Sequence, residues 1–238
     1  MKYLKREDLG DLVGELRRLG YSVYGPKKVS PGGDFFFVKV NSFDEMDFEG
    51  FVNTLYPPKS FFFPQEERLL RLKGLEVDKR KTEEKKALFG IRPCDVEGLV
   101  LLDKFYLEGF MDPWYEARRK DTLIVTFSCF NPLPTCFCIE AKAGPWAKRG
   151  FDLQVHDLGD FYLVEAGSTL GEEFISSYPD ASDKDIAFLN AEREKTLNKF
   201  KKRPYAESKL HKFSLDKEDR IWKKLGNLCF HCGGCTYL

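Results

Sequence analysis

The sequence predicts an α/β fold: a mixed sheet containing a parallel βαβ unit, followed by a helical connector and a short terminal cysteine segment. Three observations carry this reading. Residues 87–91 (ALFGI) and 122–128 (TLIVTFS) are continuous apolar runs, and 95–106 (DVEGLVLLDKFY) between them has helical character. Strands that are apolar throughout are buried on both faces, and a helical crossover makes their pairing parallel. The charged amphipathic patterns at 182–202 and 214–225 supply the connector, and Cys229, Cys232 and Cys235 mark the last segment. The expected divisions are 1–177, 178–226 and 227–238.

Taken in order, Leu9, Leu12, Val13, Leu16 and Leu19 form one apolar stripe closed by Gly20, a packing helix with a glycine cap. Residues 35–40 (FFFVKV) follow a Pro-Gly-Gly turn and read as a strand, whereas 53–65 is broken by prolines and cannot be one regular helix. A charged stretch, 77–86, leads into the βαβ unit. Residues 151–155 and 161–165 flank Gly159 as a hairpin. The helix at 214–225 is expected to stop at Gly226.

The 38 Lys plus Arg are balanced by 38 Asp plus Glu, so no net field recruits nucleic acid or an anionic membrane. No apolar stretch is long enough to span a bilayer and the amino-terminal pattern is not a signal peptide, which points to the cytoplasm. The seven cysteines, an odd number in tight spacings, suit a reducing compartment and metal ligation better than a disulfide framework. Dinucleotide, P-loop and nucleophile-elbow fingerprints are missing from the chain. His156 and His211 read as structural, and His231 as a filler between cysteines.

The run Cys229-Phe-His-Cys232-Gly-Gly-Cys235 has the C-x2-C-x2-C spacing that opens a bacterial ferredoxin cluster site, and it is read as the start of a ferredoxin-like segment holding a 4Fe-4S cluster. A fourth cysteine would fall just beyond Leu238, so the segment is expected to continue there. Half a zinc ribbon, a reducible pair or inert thiols are the alternatives.

A second group comprises Cys94, Cys129, Cys136 and Cys138. Cys94 follows the first βαβ strand and Cys129 the second, so both belong at the carboxyl edge where open α/β sheets bind ligands. The turn Asn131-Pro-Leu-Pro-Thr-Cys136-Phe-Cys138 can fold back to the same space. Four thiolates there would make an all-cysteine iron-sulfur or zinc site; the bland reading is that Cys94 and Cys129 are small buried hydrophobes. Cys94, at a helix start, is expected to have its thiolate favoured. Arg92 could pair with Asp95 or Asp103, or offset the charge of a thiolate-rich cluster.

Certain of these strings resemble a known family. Phe89-Gly-Ile-Arg-Pro-Cys94-Asp95 with Leu102-Asp103, Asp112-Pro-Trp-Tyr-Glu-Ala-Arg-Arg119, Thr135-Cys136-Phe-Cys138 with Gly144-Pro145, and Trp222 ahead of the terminal cysteines are similar to sulfhydrogenase beta subunits. The A subunit of anaerobic sulfite reductase is a similar member, and Pro57-Pro-Lys-Ser-Phe-Phe-Phe-Pro-Gln65 extends the likeness towards the amino terminus. The resemblance implies a non-catalytic electron-transfer subunit of an oxidoreductase complex, with no catalytic residue of its own. Electrons would pass between a flavin/NAD(P)-binding subunit and a catalytic subunit handling hydrogen, sulfur or sulfite. It also implies that Cys229, Cys232 and Cys235 are ligands of one 4Fe-4S cluster, with Cys94, Cys129, Cys136 and Cys138 serving an additional one. The rival reading is a zinc-stabilised, non-redox scaffold that holds enzyme subunits together.

Overall fold

In a computed structural model the described residues are 1–73, 76–78, 84–200 and 220–230. They divide into two units, Met1–Lys199 and the described part of Phe200–Leu238.

The first unit is built on the predicted parallel pair. β6 (Lys86–Ile91) and β7 (Thr122–Phe127) pair in parallel, joined by α2 (Pro93–Leu107) and α3 (Pro113–Lys120). Every residue of β7 is buried, the signature of a strand covered on both faces. β8 (Leu153–Asp157) extends the parallel set beside β7, and β9 (Phe161–Ala166) returns as the expected hairpin.

Two strands of the main sheet escaped the sequence pattern. β1 (Lys2–Lys5) is only four residues long and pairs antiparallel with β9. β2 (Ser22–Lys28) carries Gly25 and Pro26, which weaken a strand signal, yet it pairs in parallel with β6 and antiparallel with β3 (Phe35–Lys39). The sheet order is β1-β9-β8-β7-β6-β2-β3, a mixed sheet with four parallel strands at its centre. β4 (Arg71–Lys73) and β5 (Glu76–Asp78) form a separate antiparallel ribbon, likewise not expected, that runs into the start of the charged stretch.

Helices cover both faces. Leu9, Leu12, Val13 and Leu16 of α1 (Asp8–Arg18) pack with Ala87, Phe89, Leu123 and Val125, joined by Phe174 and Ile175 from α4 (Thr169–Ile175). On the opposite face Val96 and Leu99 of α2 and Tyr115 of α3 pack with Leu88, Ile91 and Ile124. The alternation breaks once. Phe89 pairs with Val125 and Ile91 with Thr126, leaving Gly90 as an extra residue at φ +86°. A Cβ there would stand 3.1 Å from Phe48 and Pro26. This bulge puts Ile91 on the face of Leu88 and sets where the chain leaves the sheet.

The region 53–65 contains only one short 3₁₀ turn, Pro58–Phe61, as its prolines require. The helix expected over 182–202 is α5 (Asp183–Lys199). Of the one expected over 214–225, the described part is α6 (Arg220–Leu228), which runs through Gly226 instead of ending there. Cys229 follows it; Cys232 and Cys235 lie outside the described residues, and with them the ferredoxin-like segment. No helix among the described residues is long and apolar enough to cross a membrane.

Candidate metal centre

The parallel strands deliver their ends to one edge. β6 ends at Ile91, Arg92 caps α2 in extended conformation, and Cys94 occupies the second position of that helix, just after Pro93. Two residues beyond β7, Cys129 donates its N–H to the Pro145 carbonyl at 2.9 Å. This bond ties the cysteine to the far end of the loop that carries Cys136 and Cys138. The loop is folded by its own backbone: Cys136 N–H donates to Leu133 O, Leu133 N–H donates to Cys136 Sγ at 3.3 Å, and Ala143 N–H donates to Cys138 O. Gly144 is packed so closely that a Cβ would lie 3.3 Å from Cys138 Sγ.

Cys94, Cys129, Cys136 and Cys138 thus line one cavity of about 360 Å³, and all four are thiols. Its remaining wall is mostly apolar, with Val52, Pro93, Leu133, Phe137, Ala143 and Pro145, and Arg92 at its base. Among the described residues no group of three or more Cys, His, Asp or Glu side chains is arranged to hold a metal ion. The cavity nevertheless fits a cluster in the chemistry of its donors, which are four soft sulfurs with no carboxylate in the lining.

Electrostatics correct one expectation. Although Cys94 is exposed and the Asp95 N–H favours its thiolate, burial of its sulfur outweighs that, and the charges of Asp95, Cys138 and Cys129 add to it. The Cys94 thiol is pushed up to about 12 instead of being activated by the helix start. Burial, then Cys129 and Cys136, push Cys138 up to about 11, and burial also raises Cys129 against the pull of Arg92. A cationic group entering the cavity would therefore have to displace thiol protons.

Arg92 makes neither of the carboxylate pairs considered for it. Asp103 is taken by Tyr115 and Arg119, at 2.7 and 3.1 Å. Asp95, its carboxyl pushed up to about 6 by burial against the pull of Arg92, makes no ion pair with the guanidinium among the described residues. Instead the guanidinium donates to the carbonyls of Val52 (3.0 Å), Phe127 (3.5 Å) and Phe51, and stacks 4.3 Å from the Phe51 ring. Apart from the Phe127 carbonyl, these contacts come from a segment about forty residues upstream, with no pattern in the sequence to announce them.

Behind Cys129 lies a polar network that sequence reasoning undervalued. His156, fully buried, stands 2.7 Å from Ser128 Oγ through Nδ1 and 3.0 Å from Glu165 Oε1 through Nε2. The carboxylate can only accept, so Nε2 carries the hydrogen and Nδ1 accepts from the Ser128 hydroxyl. Arg193 of α5 reaches Glu165 at 3.6 Å and stacks on Trp146, while Lys199 donates to Phe130 O and Asn131 Oδ1 beside Cys129.

Burial holds His156 below its ordinary value, with Glu165 pulling up and Arg193 down. The unfolded chain therefore takes up a proton near 6.5 that the folded chain refuses until lower pH. This stability is present above about pH 6.5 and lost as pH falls towards the folded value, at about 1.4 kcal/mol per pH unit. Urea midpoints of the metal-free chain should drop between pH 7.5 and 5.5, and His156→Gln should flatten the difference; an unchanged slope in the variant would assign it elsewhere.

No protein-family model matches the chain, and no solved structure matches it. It is 34% identical over 242 aligned positions to the sulfhydrogenase 2 subunit beta of Pyrococcus furiosus, an alignment covering 99% of this chain and 71% of that protein. With identity of that order along nearly its whole length, this chain belongs to the family of sulfhydrogenase beta subunits.

Proposed function

We propose that this chain is an iron-sulfur electron-transfer subunit of a multi-subunit oxidoreductase of the hydrogenase, sulfur reductase or sulfite reductase type. It would relay electrons between a flavin/NAD(P)-binding partner and a catalytic subunit. The observation that carries the reading is the convergence of Cys94, Cys129, Cys136 and Cys138, from three separate segments, on one largely apolar cavity. A 4Fe-4S cluster bound there would accept and release one electron at a time.

The chain's own part is to hold and shield. The rigid ends of β6 and β7 fix Cys94 and Cys129, and the loop from Asn131 to Pro145 brings the other two sulfurs to them. The largely apolar wall lowers the polarity around the sulfurs, although Cys94 remains exposed, and so strengthens charge interactions there. In this reading residues 1–177 are the domain that bears the internal site and 178–226 the helical connector. Residues 227–238 open a second 4Fe-4S site through Cys229, Cys232 and Cys235.

A zinc scaffold would need room for one ion with sulfurs about 2.3 Å from it. The cavity of about 360 Å³ is larger than that demands and favours a cluster. Anaerobic isolation with iron, sulfide and zinc analysis and a visible spectrum before and after dithionite tests the proposal. Expected are iron and sulfide in equal amounts and broad absorption that bleaches; stoichiometric zinc with no visible band would establish the scaffold instead.

A further inference from the structure

Arg92 is buried beside the cysteines and makes no ion pair with a carboxylate among the described residues. The residue is 9% exposed, and its guanidinium is partnered by backbone carbonyls and an aromatic face, all neutral. Burying an unpaired charge is costly, and dipoles offset that cost only in part. The residue borders two spaces. One is the cysteine cavity; the other is a cavity of about 170 Å³ whose lining includes Phe51, Phe127, Ser128, Cys129 and Asp157, the last paired with Arg6.

We propose that Arg92 is a fixed counter-charge for the four-cysteine site, a positioning residue that raises the reduction potential of the cluster held there. This inference rests on the proposed function. One-electron reduction adds one negative charge without making or breaking a bond to the protein, so a nearby buried cation stabilises the reduced form more than the oxidised one. The three carbonyls and the Phe51 ring keep the cation from turning away to solvent. Lysine keeps the charge and loses the planar fork; glutamine loses the charge.

The test is a dithionite titration of the anaerobic protein, followed by visible and electron paramagnetic resonance spectra, with iron content and circular dichroism recorded for wild type, Arg92→Lys and Arg92→Gln. Expected is a lower potential in Arg92→Gln, with the reduction equilibrium at least about tenfold less favourable, or about 59 mV for one electron, and Arg92→Lys within about threefold of wild type. A glutamine variant that loses iron while the lysine variant keeps both iron and potential supports the same role. The inference is overturned if Arg92→Gln keeps iron at the wild-type potential, if Arg92→Lys falls as far as Arg92→Gln, or if both lose iron or unfold, since the carbonyl fork alone then matters. Absence of iron from the wild-type chain would instead reject the function on which the inference rests.

Discussion

Substituting serine for Cys136 is expected to remove most of the iron of the proposed internal site while leaving the sheet folded. The sheet owes its stability to apolar contacts on both faces, none of which involves the loop that carries Cys136. That loop is held by bonds that include Cys129 N–H on Pro145 O, Leu133 N–H on Cys136 Sγ and Lys199 on Asn131, and its Phe137 is 60% exposed. Little buries it except what fills the cavity. Serine offers a harder oxygen with a far higher proton affinity, so cluster occupancy should fall several-fold. Iron analysis beside far-ultraviolet circular dichroism measures both sides. Full iron with a collapsed spectrum would mean that the thiol is structural and the site elsewhere.

The second large effect is expected from Phe89→Ala. Phe89 is fully buried at the centre of β6, between α1 and the sheet, one residue before the bulge. Truncating a buried Phe costs about 3–5 kcal/mol through lost transfer energy and the cavity left behind. This is a large share of the stability of a domain this size. The damage should also reach the site, because β6 is the strand that carries Arg92 and Cys94 to its edge. Thermal unfolding and iron retention should fall together. A variant within about 1 kcal/mol of wild type would show that the neighbouring helix collapses into the gap.

The two central strands were legible because their burial on both faces writes a continuous apolar run, and a helix of the right length separates them. β2 was not legible, because Gly25 and Pro26 interrupt it and its pairing with β6 spans a long sequence gap. Positions at strand ends placed Cys94 and Cys129 at one edge, and the doubled proline predicted the fold-back of Cys136 and Cys138. The same reasoning misjudged the acidity of Cys94, since a helix start announces its dipole in sequence whereas the crowding around the sulfur belongs to the tertiary fold. Nor could it choose among partners for Arg92, whose carbonyls lie on an irregular loop. Reading Gly226 as a stop failed because α6 passes through it, a residue cost that a helix can absorb.

The extra residue at Gly90 has a consequence for how the site can change. Side chains along a strand alternate between faces, so one inserted residue acts as a phase shift for everything downstream of it. Arg92, Pro93 and Cys94 owe their orientation to that shift as much as to their own chemistry. Gene variants that substitute these residues would alter the site locally. A variant one residue shorter at this point would keep every ligand in its sequence and still present the wrong side of the chain to the cavity, so the site is encoded partly as a length.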